Sequence, residues 1–448
     1  MQATRTEARR IRETLAIFAV ALMFAWPAIV NQYPIVFSDT HAFLVQAGQP
    51  RMVWDKPWTY GPFLLALHGG TTLWLPLAAQ VLIVSHLLWL LAASSGQATA
   101  LRHVVLGIML ATGSAAPWFA SLLMPDVFAP ITVIALYLLA FPGTLGMWQR
   151  RWVLLLGAAA IAFHLTHLVL AAAGLAVVLV LRWRALPRTM VPLGVALAIL
   201  MATNVVGFGR VAVSPYGSVF ALARLTADGL VTPVLAASCP TSGWHLCDWQ
   251  NRLPADSNAF LWDSDGPVWT APGGAIGLAP EASAIVGAVI RQAPLAVLRT
   301  ATANTLQALG RVALGDTLGP DWLEGSITSS LRAYFPPHEI ERFRAGLQAQ
   351  GGLAGLAAPF NRAHAMFLVL GTVGSLLCLL RPGHALALMI LIGVAANGFA
   401  GGALSGPFDR YQARIAWLVL LPPGLVLVRS VPAPRPRLGT CGQVSRNR

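Results

Sequence analysis

The sequence predicts an all-α polytopic membrane protein of about ten transmembrane helices with a mainly helical outer (periplasmic) domain. Three observations predict it. Only 10% of the 448 residues are charged and 56% are hydrophobic, with a mean hydropathy of +0.66. An ordinary soluble protein carries roughly 25% charged residues, so this chain has too little polar surface to coat a water-soluble body. Uninterrupted apolar runs of bilayer length recur along it. Its arginines gather in short segments between those runs, as orientation signals do. A net charge of +13 would otherwise suit nucleic acid; given this distribution, the expected partner is the lipid bilayer and no nucleic acid. Of the 30 basic residues only Lys56 is lysine, a composition that hints at a GC-rich bacterial genome.

The spans are expected near 14–30, 73–93, 103–123, 127–141, 152–165, 168–181, 191–208, 365–380, 385–403 and 412–428. The first follows Arg5, Arg9, Arg10 and Arg12 as in a secretion signal, but is long enough to stay as an anchor. The stretch 152–181 is long for one helix and short for two. Parity decides for two, meeting at His164–His167. Every short arginine cluster then falls on one side: Arg5–Arg12, Arg102, Arg150/Arg151, Arg182/Arg184/Arg188, Arg381 and the tail from Arg429. That is the bias toward cytoplasmic Lys and Arg. It places both termini in the cytoplasm of a bacterial inner membrane. Of 17 acidic residues, all but Glu7 and Glu13 then fall in outer loops.

This topology divides the chain into an N-terminal membrane module (1–208, with a first outer loop at 31–72), an outer domain (209–362), a C-terminal membrane module (363–430) and a cytoplasmic tail (431–448). Within the outer domain helices are expected near 281–314 and 337–349. The run 213–238, broken by Arg224 and Asp228, lies on the membrane surface or packs within the domain. Cys239 and Cys247 share one short polar loop, and would pair in an oxidising compartment or remain two thiols.

Candidate site residues all lie on the outer side. Asp39, in Ser38-Asp39-Thr40-His41, is a carboxylate near the membrane surface that could take a proton from a hydroxyl; as an alternative it caps the helix that follows. Arg51 and Lys56, beside Trp54, Trp58 and Tyr60, suit a lipid phosphate headgroup, or equally an interfacial aromatic belt with a snorkelling lysine. Asp126 follows Pro125 in a tight turn between two spans, either as a helix cap or as a second carboxylate of the same pocket. His164 and His167 share a helical face and could bind a divalent metal, a phosphate or a sugar, or simply form a polar turn. No third metal ligand is identifiable, so no cofactor is assigned. Arg410 and Arg414 are one turn apart, next to Asp409 and Tyr411, and could clamp a phosphate; the alternative is a surface charge cluster. No P-loop, dinucleotide fingerprint, nucleophile elbow or zinc motif occurs.

With these residues in view, the chain resembles the polyprenyl-phosphate-sugar-dependent membrane glycosyltransferases of the type C fold. They too carry an Asp in the first long outer loop, as at Asp39, a second acid in the next outer turn, as at Asp126, many spans and a soluble outer part. Asp55-Lys56-Pro57 is also similar to the acidic-Lys-Pro-Pro element of lipid A aminoarabinose transferases, with Trp58 in place of the second proline. The resemblance covers roughly residues 1–210. It implies a polyprenyl-phosphate-linked sugar donor, Asp39 as the base that activates the acceptor, Asp126 as an organiser, and Lys56 with Arg51 or Arg410 on the donor phosphate. Here the outer domain precedes the last three expected spans, whereas many members carry theirs at the C-terminus. Two rivals remain open: an O-antigen-type ligase or polymerase using Arg291, Arg299, Arg311 and His338, and a non-enzymatic transporter or flippase.

Overall fold

The computed structural model describes residues 2–49, 52–143, 145–381 and 383–432. Regular structure among them is helical throughout, and the one β feature is an isolated parallel bridge between Ile35 and Leu122. Among the described residues six helices are long and apolar enough to cross a membrane: Trp74–Ser94, the 43-residue stretch Thr166–Phe208, Gly274–Gln292, Phe360–Leu379, Ala385–Gly402 and Asp409–Ser430. The long stretch is interrupted by a tight turn at Trp183–Ala185, where Arg182, Arg184 and Arg188 cluster, and its two arms pack on each other.

The other expected spans fall on shorter or charged helices. Residues 14–30 belong to Gln2–Phe24 and Trp26–Asn31, the former carrying Glu7, Arg9, Arg10, Arg12 and Glu13 in its first half. The region 103–123 is divided into Ala100–Gly113 and Ala116–Ser121. Residues 127–141 form Phe128–Ala140, of 13 residues, and 152–165 end the 16-residue Met147–Ala162.

Gly274–Gln292 also carries an apolar stripe that packs inside the protein. Ala275, Leu278, Ala279, Ala282, Ile285 and Val289 recur at helical spacing and are all buried in a second hydrophobic core, with Val219, Leu222, Val234, Leu246 and Phe260. The 213–238 run folds as two helices, Gly217–Ala227 and Thr232–Ser242, with a bend of 106° between them. Arg224 and Asp228, the charges that break the run, pair at 2.6 Å, and Asn304 adds a hydrogen bond of 3.0 Å to the same carboxylate.

The later part of the stretch between Phe208 and Phe360 behaves otherwise. Leu314, Leu318, Leu323, Ile327, Leu331, Phe343 and Leu353 join the main core together with residues of the candidate membrane helices. Polar bonds weld this part to the loop at residues 31–36. Gln348 donates from Nε2 to the Val36 carbonyl (2.7 Å) and accepts the Val36 N–H (3.1 Å), while its own N–H donates to Asn31 Oδ1 (2.7 Å). Fully buried Glu339 accepts the Tyr33 hydroxyl at 2.9 Å. Buried polar groups are costly unless paired, and these are paired across some three hundred residues of sequence.

Candidate functional site

The site begins with backbone pairing that brings two loops together. Ile35 donates its N–H to the Ser121 carbonyl (3.0 Å) and accepts from Leu123 N–H (2.8 Å). Gln80 braces the same turn by donating to the Ala120 and Leu122 carbonyls (3.2 and 3.0 Å). Thr40 then closes the first turn of the helix Ser38–Gly48. Its hydroxyl accepts the Phe37 N–H (3.0 Å) and donates to the Leu123 carbonyl (3.1 Å). The capping role open to Asp39 is therefore filled by Thr40, and the Asp39 carboxylate faces elsewhere.

It faces Lys56 and Arg410. Lys56 Nζ lies 3.1 Å from Asp39 Oδ1 and also pairs with Asp55. Arg410 Nη2 lies 3.6 Å from Asp39 Oδ2. Burial pushes the Asp39 carboxyl up, but the two cations outweigh it and hold the group below its ordinary range. Burial likewise pulls the Lys56 ammonium down, and Asp39 and Asp55 reverse that to raise it. Both groups are thus charged at neutral pH. The Lys56 loop is anchored by Trp58, whose indole N–H donates to the Gln46 carbonyl (3.1 Å), and by Thr59, whose hydroxyl donates to Ala162 (2.6 Å).

Asp126 lies beneath, with no exposed surface. It makes no capping bond in its own turn; Oδ1 instead meets Arg410 Nε at 3.2 Å and Arg414 Nη1 at 3.5 Å. Arg410 therefore bridges the two acids, and one turn on, Arg414 reaches the same carboxylate. Arg414 is also tied by Nη2 to Thr166 Oγ1 (2.9 Å) and Asn397 Oδ1 (3.1 Å). Tyr411 places its ring near both guanidiniums, 5.2 and 5.5 Å from their carbons. Gly401 opposite leaves room for it: a Cβ there would stand 3.1 Å from Tyr411 Cβ. Two further acids hold this helix start: Asp316 Oδ2 accepts the Arg410 N–H (2.8 Å) and Asp409 Oδ1 accepts the Ala313 N–H (3.0 Å).

Above these charges is a cavity of about 220 Å³. Asp39, Asp55, Lys56, His164, Thr166, Arg410 and Tyr411 line it, and its apolar wall includes Phe43, Met124, Val169 and Leu404. Phe220 and Trp262, from the second core region, close one side. Trp54 joins them, 5.2 Å from Phe220 and 5.7 Å from Trp262 between ring centres, and Lys56 Nζ sits 5.6 Å from the Trp262 ring.

Several residues singled out from the sequence are placed away from the cavity. Asp126 and Arg414 form its floor and do not line it. Tyr60 is fully buried among Phe43, Phe63, Phe128 and Phe163, and its hydroxyl donates to Gln80 Oε1 (2.6 Å); a side chain this apolar in its surroundings belongs to the core. His167 is buried, with Nδ1 bonded to the Ala160 carbonyl (2.6 Å), while His164 reaches the cavity. Arg51 lies outside the described residues. Cys239 and Cys247 form a disulfide with Cα atoms 5.4 Å apart. No group of three or more His, Cys, Asp or Glu able to hold a metal occurs among the described residues. Thr166, Asn397, Phe220 and Trp262 were not singled out from the sequence. Thr166, between two histidines, was the most findable of them.

Comparison of the chain with protein families, curated proteins and solved structures finds no match.

Proposed function

We propose that the protein is a membrane glycosyltransferase that moves a sugar from a polyprenyl-phosphate donor to a lipid, glycan or protein acceptor on the outer face of a bacterial inner membrane. In this reading the arginine-rich loops and both termini are cytoplasmic, about ten segments cross the bilayer, and the chain adopts a type C arrangement. The observation that carries it is Asp39 between Lys56 and Arg410 on the wall of a cavity that is otherwise largely apolar. A prenyl chain needs the apolar wall, a phosphate needs the cations, and an acceptor hydroxyl needs a base.

The chemistry follows. An acceptor O–H gives its proton to the Asp39 carboxylate and its oxygen bonds the anomeric carbon of the sugar. The bond from that carbon to the phosphate oxygen breaks, and the electron pair leaves with the phosphate, whose charge Lys56 and Arg410 balance. A lipid phosphate is already a good leaving group, so positioning and one base suffice. Asp126 acts as a positioning residue that fixes Arg410. An O-antigen-type ligase relying on Arg291, Arg299, Arg311 or His338 receives less support, since none of these lines the cavity.

The test is lipid-linked glycan analysis of a deletion strain complemented with wild type or Asp39→Ala at equal expression. The alanine variant is expected to leave the glycan product missing. Full restoration of every glycan would overturn the assignment.

A further inference from the structure

Among the described residues His164 is the one histidine on the cavity wall, and the hydrogen bonds around it determine which nitrogen carries its proton. The backbone N–H of Thr166, which can only donate, points at His164 Nδ1 from 3.3 Å. The Thr166 hydroxyl lies 2.8 Å from the same nitrogen and accepts Arg414 Nη2 at 2.9 Å. A hydroxyl has a single hydrogen, and with the guanidinium donating to its oxygen, that hydrogen is directed to His164. Two donors thus converge on Nδ1, which must accept. In the neutral ring the proton then sits on Nε2. Nε2 has no protein partner among the described hydrogen bonds: the nearby His167, 5.3 Å away between ring centres, has its own Nε2 unpartnered.

We propose that His164 is a ligand-binding residue whose Nε2–H donates a hydrogen bond to an anionic oxygen, of the phosphate-ester class, in the cavity. Thr166 and Arg414 are its positioning residues, and Asp126 anchors the relay from below. This rests on the reading of the cavity as a phosphate site. It adds to the two cations a neutral donor whose direction is fixed by Asp126, Arg414 and Thr166 in turn. A neutral donor contributes hydrogen-bond direction without adding to a cationic cluster that already holds Lys56, Arg410 and Arg414. Such a bond to a charged oxygen is worth about tenfold or more in affinity.

The test uses the full chain in lipid nanodiscs, with farnesyl phosphate and inorganic phosphate as probes, read by calorimetry. Wild type is expected to bind farnesyl phosphate more tightly than inorganic phosphate. His164→Ala should weaken both by about tenfold. His164→Gln, whose amide N–H replaces Nε2–H, should stay within about twofold of wild type, as should Thr166→Ser, while Thr166→Val should lose severalfold. Nitrogen NMR of ¹⁵N-histidine protein, with His164→Gln to assign the signal, should show Nε2 protonated and Nδ1 bare in wild type, and a mixed tautomer in Thr166→Val. A wild type that binds neither probe overturns this proposal and the phosphate-site reading together. A wild type that binds, with His164→Ala binding equally well or with Nδ1 carrying the proton, overturns this proposal alone.

Discussion

The wall and the floor of the cavity place the same chemistry, a carboxylate against guanidinium or ammonium, in two settings. On the floor, Asp126 has no exposed surface and its partner Arg414 has none either. On the wall, the Asp39 side chain keeps 31% of its surface exposed while its partners Lys56 and Arg410 are largely covered. A carboxylate sealed among guanidiniums is committed to holding them. One with an open lobe is held charged and in place, yet can still meet a substrate. The difference is one of accessibility, not charge, and it separates two acids that look alike in the chain.

The largest expected effect is at the floor. Asp126→Ala leaves two buried guanidiniums without their shared carboxylate and should destabilise the protein by about 3–5 kcal/mol, measured by thermal unfolding in detergent. Asp39→Asn should do the reverse. Its stability should stay within about 1 kcal/mol of wild type, because Lys56 keeps Asp55 and Arg410 keeps Asp126. Its transfer rate should fall about 10²–10⁴-fold. If Asp39→Asn proved the less stable variant and Asp126→Ala the less active but stable one, the two roles would have to be exchanged.

Acid titration sharpens the same contrast. Because Lys56 and Arg410 lower the Asp39 carboxyl, the charged form is favoured in the folded protein. Its contribution is complete above the unfolded value and is lost as pH falls through the folded one. The acid limb of kcat/KM should therefore lie below the ordinary aspartate value of about 4; a limb near neutrality would exclude Asp39 as the base.

A smaller effect is expected where the second core forms the cavity wall. Replacing Cys239 and Cys247 by serine opens a loop with a sequence separation of 8 and should cost about 2–3 kcal/mol. The loss should be confined to the 214–292 region, which has its own core, as read by proteolysis. Trp262→Phe, which keeps an aromatic face beside Lys56, should change KM only about twofold.

Part of this was legible in the sequence and part was not, for identifiable reasons. Apolar runs of bilayer length fixed 73–93 and 385–403 to within a residue of Trp74–Ser94 and Ala385–Gly402, since hydropathy is local. The helix expected near 337–349 starts at Pro337 and ends at Ala345, a proline at the first turn being an equally local signal. The start of Gly274–Gln292 was missed by the helix expected near 281–314, because its apolar stripe packs on a small core that only the folded chain assembles. Asp39, Asp126, Lys56, Arg410 and Arg414 stood out as charges close to the expected spans of an apolar chain, where an uncompensated charge is costly. Their pairing was not, because it depends on the Ile35–Leu122 bridge and on Gln348 reaching Val36, contacts with no periodic signature. Tyr60 misled for the opposite reason: an aromatic near Lys56 in sequence turns into the core when its hydroxyl finds Gln80.

The most direct test asks whether this cavity opens to the outer face and receives a phosphate-bearing lipid. Ser405 lines it, so a Ser405→Cys variant with Cys378 and Cys441 replaced by serine offers a single reporter thiol beside the native disulfide. A membrane-impermeant maleimide applied to intact spheroplasts should label it, and farnesyl phosphate should slow the labelling. Labelling only after permeabilisation, at a rate indifferent to that lipid, would contradict the account.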